Sequence, residues 1–140
     1  MSYDKIYDIA SQGMRIEKMR IDTVANNIAN QYTISNSDGS TFQPMHVEAR
    51  TVPFEQLIES TEQTPLNTAE LVANHLPPNK VYQPGHPKAD DKGYVTYPGI
   101  STIDEMTTLL RASRGYEANI KVINTAHNLY LQALTIGEER

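Results

Sequence analysis

The chain has 140 residues, a formal net charge of -5 and no cysteine. That allows one domain and excludes disulfide staples and thiolate zinc sites; the acidic balance gives no electrostatic footprint for nucleic acid or an anionic membrane surface. Hydrophobic residues make up 39%, with no Trp and only two Phe, so bulky core-forming side chains are scarce apart from eight Tyr.

The N-terminus lacks both a basic region and an uninterrupted apolar run, so no cleavable secretory signal is expected. Nothing in the sequence approaches a transmembrane span. By these residues alone the chain reads as cytoplasmic. Residues 3 to 30 form an amphipathic helical pattern: Tyr7, Ala10, Met14, Ile21, Val24, Ala25 and Ile28 share a face, and Asp4, Asp8, Arg15, Lys18, Arg20 and Asp22 mostly lie elsewhere. Ser2 is the expected N-cap. Glu17 interrupts the stripe, and Gly13 costs about 1 kcal/mol against Ala in a helix interior. Gly115 repeats that oddity near the other end of the chain. Either both are tolerated weaknesses, or two helices approach where a Cβ would clash. The helix closes on Asn26, Asn27 and Asn30, which suit a fraying end or hydrogen bonds to neighbouring chains.

Residues 33 to 41 are a loop by composition. All eight Pro lie between Pro44 and Pro98, which rules out long helices in the middle of the chain. Met45, Val47 and Ala49 alternate with His46, Glu48 and Arg50, predicting a short strand. Residues 53 to 60 suit a helical turn. Residues 67 to 76 are ambiguous: Asn67 with Glu70 resembles a helix start, but Pro77 and Pro78 end the run. Lys80 to Gln83 and Gly93 to Tyr97 read as two strands joined by residues 84 to 92.

The last forty residues carry the longest pattern. Met106, Leu109, Leu110, Ala112, Tyr116, Ile120, Ile123, Tyr130 and Leu134 recur at three-and-four spacing, and no Pro interrupts them. Thr102 with Glu105 predicts a capping box after Pro98 and Gly99, and Gly137 a stop. A helix over about residues 102 to 136 would span roughly 50 Å at 1.5 Å per residue. A small core cannot cover that length, so part of the stripe is expected to await another helix, in this chain or a different one. The fold class is therefore mainly α: two long terminal helices in a coiled-coil-like core, with a small β-rich insert. Residues 1–34 and 101–140 are expected to form one helical domain around an insert at 35–100.

The sequence offers no chemistry. His46, His75, His86 and His127 are scattered, with no pair at metal-ligand spacing, and His127 is expected to pack on the apolar side of the last helix. Asp90 and Asp91 lack the alternating acidic ligands of a calcium loop. No phosphate loop or nucleophile motif occurs. No enzyme, cofactor or metal is expected.

Two motifs carry a family resemblance. Ile21-Asp-Thr-Val-Ala-Asn-Asn-Ile-Ala-Asn30 resembles the signature that closes the first helix of the bacterial flagellar axial proteins, the family of rod and hook subunits. Ser113-Arg-Gly-Tyr-Glu-Ala-Asn-Ile-Lys-Val-Ile-Asn-Thr-Ala126 resembles that family's Ser-Arg-x-Tyr-Glu-Ala-Asn run. Val81-Tyr-Gln-Pro-Gly-His-Pro87 and Gly93-Tyr-Val-Thr-Tyr-Pro98 resemble the short proximal-rod members, whose hook and distal-rod relatives have longer central domains. Gly99 stands where the family often has Asn, which is expected to loosen the turn into the last helix.

The resemblance implies a structural subunit of the proximal rod. Its terminal helices would polymerise into the shaft that transmits motor torque across the periplasm, after export through the flagellar type III channel without a cleavable signal. Implied partners are other copies, other rod proteins, and basal-body ring and export-gate components, with no nucleic acid and no direct membrane insertion. The expected assembly interface takes Met14, Ile21, Val24, Asn26, Asn27, Ile28 and Asn30 from the first helix. From the last it takes Leu109, Ser113, Arg114, Tyr116, Glu117, Asn119, Ile120, Ile123, Tyr130 and Leu134. The alternative from a different class is a small soluble helical binding module or adaptor.

Overall fold

A computed structural model describes residues 3–36, 39–51 and 67–138. Helix α1, Tyr3–Asn30, is followed by strands β1, Met45–Thr51, and β2, Asn67–Ala73. Strands β3, Asn79–Tyr82, and β4, Tyr94–Tyr97, lead into the 37-residue helix α2, Thr102–Glu138. Helix, small β-rich insert, helix is the predicted order, and the insert's strand pairs are antiparallel. Ser2 and the turn expected over residues 53 to 60 lie outside the described residues.

The helices pack antiparallel along most of α1, because each has a seam at seven-residue periodicity. On α1 the seam runs through Ile6, Ala10, Gly13, Glu17, Arg20, Val24 and Asn27; on α2 through Glu105, Leu109, Ala112, Tyr116, Asn119, Ile123 and Ala126. This alternating four-and-three spacing is that of a left-handed helical pair. Ala10, Val24, Ala112 and Ala126 are its buried apolar members. The predicted α1 face is therefore rotated: Ala25 is exposed, and Glu17 belongs to the seam instead of interrupting it. Of the two explanations for Gly13 and Gly115, close approach is the one observed. A Cβ on Gly13 would lie 2.7 Å from Asn119 Oδ1, and one on Gly115 would lie 3.1 Å from Glu17 Cγ and Cδ.

In the insert, β1 and β2 pair antiparallel from Met45 opposite Ala73 to Thr51 opposite Asn67. The ambiguity over residues 67 to 76 is thus settled as a strand up to Ala73, because pairing with β1 outweighs the local helix-start signal of Asn67 and Glu70. β3 and β4 pair from Asn79 opposite Tyr97 to Tyr82 opposite Tyr94, and the last two rings meet edge to face at 5.3 Å. Their connection is closed by Gly93 at φ 82°, with the Asp90 carboxylate accepting from the Lys92 and Tyr94 N–H groups at 2.9 and 2.8 Å. Those bonds, that of Tyr94 first, hold the Asp90 pKa below its ordinary value.

Two expectations at the ends of α2 are corrected. The N-cap is Ser101: its Oγ accepts from the Asp104 N–H at 3.4 Å and its carbonyl from the Glu105 N–H at 3.0 Å. Thr102 instead donates its hydroxyl to Gln31 Oε1 at 2.6 Å, tying the start of α2 to the end of α1. Gly137 does not stop the helix, which continues to Glu138. Gly99, expected to loosen the turn, is required by it, since a Cβ there would fall on the Pro77 carbonyl oxygen.

Candidate assembly interface

Beside the Gln31–Thr102 bond, the end of α1 is tied to the rest of the chain by a buried side chain. Asn27 is 1% exposed. Its amide nitrogen donates to the Met45 carbonyl at 2.8 Å and to both Glu105 carboxylate oxygens at 3.3 Å; its oxygen accepts from the Met45 N–H at 3.1 Å. One residue thus joins α1, the start of β1 and the first turn of α2. Burial raises the Glu105 pKa, the Asn27 bond opposes that rise, and the neighbouring Asp104 charge adds to it. The Asn cluster is therefore no fraying end. Asn30 donates back to the Asn26 carbonyl at 2.9 Å, and only Asn26 of the three is exposed.

The expected interface residues divide by what covers them. Val24 and Asn27 are closed off within this chain, so in this structure they serve its own helix pair and insert. Met14, Ile21, Ile28, Asn30, Leu109, Ser113, Tyr116, Asn119 and Ile123 are half-buried. Asn26, Arg114, Glu117, Ile120, Tyr130 and Leu134 are exposed. The α2 stripe read as one face is in fact divided: Leu109, Ala112, Tyr116 and Ile123 turn toward α1, Met106, Leu110 and Ile120 are exposed alongside it, and Leu134 lies past the start of α1. His127, expected to be packed, is exposed.

The outward apolar surface is larger than the sequence suggested. Ile103 is 78% exposed, Leu110 60% and Ile136 73%, with Met106, Val122, Leu129 and Leu131 also open to solvent. Val122, Leu129 and Ile136 recur every seven residues; that spacing was the available signal, masked because all three fall outside the strongest stripe. Where α2 runs past the start of α1, Ile6, Val122, Thr125, Ala126, Leu129 and Tyr130 line a mostly apolar groove of about 580 Å³. In the register of the pair, Tyr3 lies level with about residue 129, so the last turns of α2 project by roughly 13 Å at 1.5 Å per residue.

Among the described residues no group of three or more His, Asp or Glu is placed to hold a metal ion, and no helix is long and apolar enough to cross a membrane. What the arrangement presents is apolar helix surface.

Comparison with known proteins agrees in kind. The family described as flagellar basal body rod FlgEFG protein C-terminal matches residues 91–136. The flagellar basal-body rod protein FlgC of Yersinia enterocolitica is 34% identical over 139 residues, 99% of this chain and 100% of that one. The protein of that name from Escherichia coli O157:H7 is 32% identical over the same shares of both chains. That of Aquifex aeolicus is 35% identical over 127 residues, 88% of each.

Proposed function

The chain belongs to the FlgC family of flagellar basal-body rod proteins, a structural subunit of that rod, and from this premise we propose that it polymerises through the outward face of its helix pair. The observation that carries the proposal is the uncovered run of Ile103, Met106 and Leu110 at one end of α2 and Leu129, Leu134 and Ile136 at the other. Apolar surface concentrated in this way on one helix marks an interaction site. Contacts between different faces of identical or related subunits build a tube or filament where they repeat without closing.

In this reading residues 1–34 and 101–140 act as one helical domain, with the insert at 35–100 outside it. The shaft crosses the periplasm and carries motor torque, and its stiffness comes from long interdigitated helices in which twisting disturbs many packed side chains at once. Neighbours are other copies and other rod proteins, with ring and export-gate components at the base. Export proceeds through the flagellar type III channel. Catalysis has no part in the role.

The test is Leu110→Asp in a strain lacking the native copy. The expected outcome is an exported chain absent from purified basal bodies and a non-motile cell. A motile strain with the variant incorporated would remove this face from the interface.

A further inference from the structure

The two seam glycines and the two polar side chains that oppose them are arranged symmetrically. Each helix carries a glycine and, four residues later, a polar side chain: Gly13 with Glu17, and Gly115 with Asn119. Antiparallel packing sets Gly13 against Asn119 and Glu17 against Gly115. Each polar side chain is tethered by a hydrogen bond. Asn119 Nδ2 donates to the Gly115 carbonyl of its own helix at 2.9 Å, and Glu17 Oε1 accepts from Arg20 Nη1 at 2.8 Å.

We propose that these two reciprocal pairs are a register lock, which permits one stagger of α1 against α2 and so sets how far α2 projects past α1. Other staggers would bring together groups that do not fit. Apolar seams alone are degenerate, since sliding by one heptad again sets apolar against apolar. Here a slide by seven residues in either direction moves Glu17 from Gly115 onto Thr108 or Val122. The same slides set Asn119 against Ile6 or Arg20 and separate Asn27 from Glu105. Each alternative buries a carboxylate or an amide against a side chain where a glycine had left room. The small apolar members of the seam, Ala10, Ala112 and Ala126, add little that would discriminate between staggers. The lock stands on the geometry of this chain alone; that the fixed projection of α2 matters for building the rod rests on the proposed function.

The absence of native cysteine gives a direct test. A disulfide needs Cα atoms within roughly 7 Å, so it reports stagger. One reporter is the full chain with Ile6→Cys and Ala126→Cys, the native stagger; the other is Ile6→Cys with Ala133→Cys, a stagger one heptad away. Cells expressing each are oxidised, and the intrachain disulfide is read on a non-reducing gel. The first reporter closes and the second does not. Adding Gly13→Ala to the first lowers its closure several-fold, and Asn119→Ala on top of Gly13→Ala restores it. Gly115→Ala behaves likewise, with Glu17→Ala as its restoring partner. Unchanged closure in the Gly→Ala chains, no rescue by the paired truncation, or failure of the first reporter in the otherwise native chain each overturns the lock. The rod reading fails separately, by absence of the reporter chains from basal bodies whatever their disulfide yield.

Discussion

The two faces of α2 are built on opposite plans. Toward α1 it presents Leu109, Tyr116 and Ile123 interleaved with Ala112, Gly115, Asn119 and Ala126, the small and polar positions bringing the helices close and fixing how they meet. Away from α1 or past its start it presents Ile103, Met106, Leu110, Leu129 and Ile136, all open to solvent. A fully buried Leu or Ile stabilises by about 1.5–3 kcal/mol, and the largest side chains of the α2 seam, Leu109, Tyr116 and Ile123, are only half-buried. Here the seam supplies geometry, and most of the apolar area left to bury lies on the surface that a neighbouring subunit would cover.

That contrast is broken most severely at Ile123 and Leu110. Ile123→Asp sets a charge against α1 and is expected to cost the isolated chain about 2–4 kcal/mol in chemical denaturation. Leu110→Asp, on the outward face, should change that stability by no more than about 0.5 kcal/mol while abolishing incorporation into basal bodies. Equal stability losses for the two would mean that α2 does not have two different faces. Asn27→Ala comes next. It strips partners from the Met45 N–H and carbonyl and from Glu105, and a loss of about 2–3 kcal/mol is expected from groups left buried and unpaired. Urea unfolding followed by circular dichroism measures it.

Acidity separates the helix pair from the β3–β4 hairpin, because their carboxylates shift in opposite directions. Glu105 has a raised pKa, so its contribution is fully present below the ordinary Glu value of about 4.3 and is lost as pH rises through the raised one. Asp90 has a lowered pKa, so its contribution is present above the ordinary Asp value of about 3.9 and is lost as pH falls through the lowered one. Glu105→Gln should flatten the first dependence and Asp90→Asn the second, read by amide exchange at Met45 and Tyr94 across the acidic range. The smallest effect is expected at Glu138, in the last described turn of α2, where Glu138→Ala should alter stability and incorporation by less than about 0.5 kcal/mol and by no measurable fraction, respectively.

Much of this is legible in the sequence, for identifiable reasons. Both helices follow from uninterrupted periodicity, and β1, β3 and β4 from alternation bounded by Pro and Gly, signals that sit within a few neighbouring residues. β2 was not legible, because its helix-start signal is local whereas its pairing with β1 is not. The capping of α2 was misread by one residue: Thr102 is drawn to Gln31, 71 positions earlier in the chain, leaving Ser101 as the cap.

The sequence by itself determined the order of elements, the family through its Asn-rich and Ser-Arg-Gly-Tyr-Glu-Ala-Asn motifs, and an excess of apolar helix surface over what one small domain can bury. Only the tertiary structure decided which face of α2 is spent within the chain, why Gly13, Gly99 and Gly115 have no side chain, and what Asn27 does. Periodicity records that residues share a face, whereas the identity of the opposing surface depends on stagger, and stagger is a relation between two segments about a hundred residues apart in sequence.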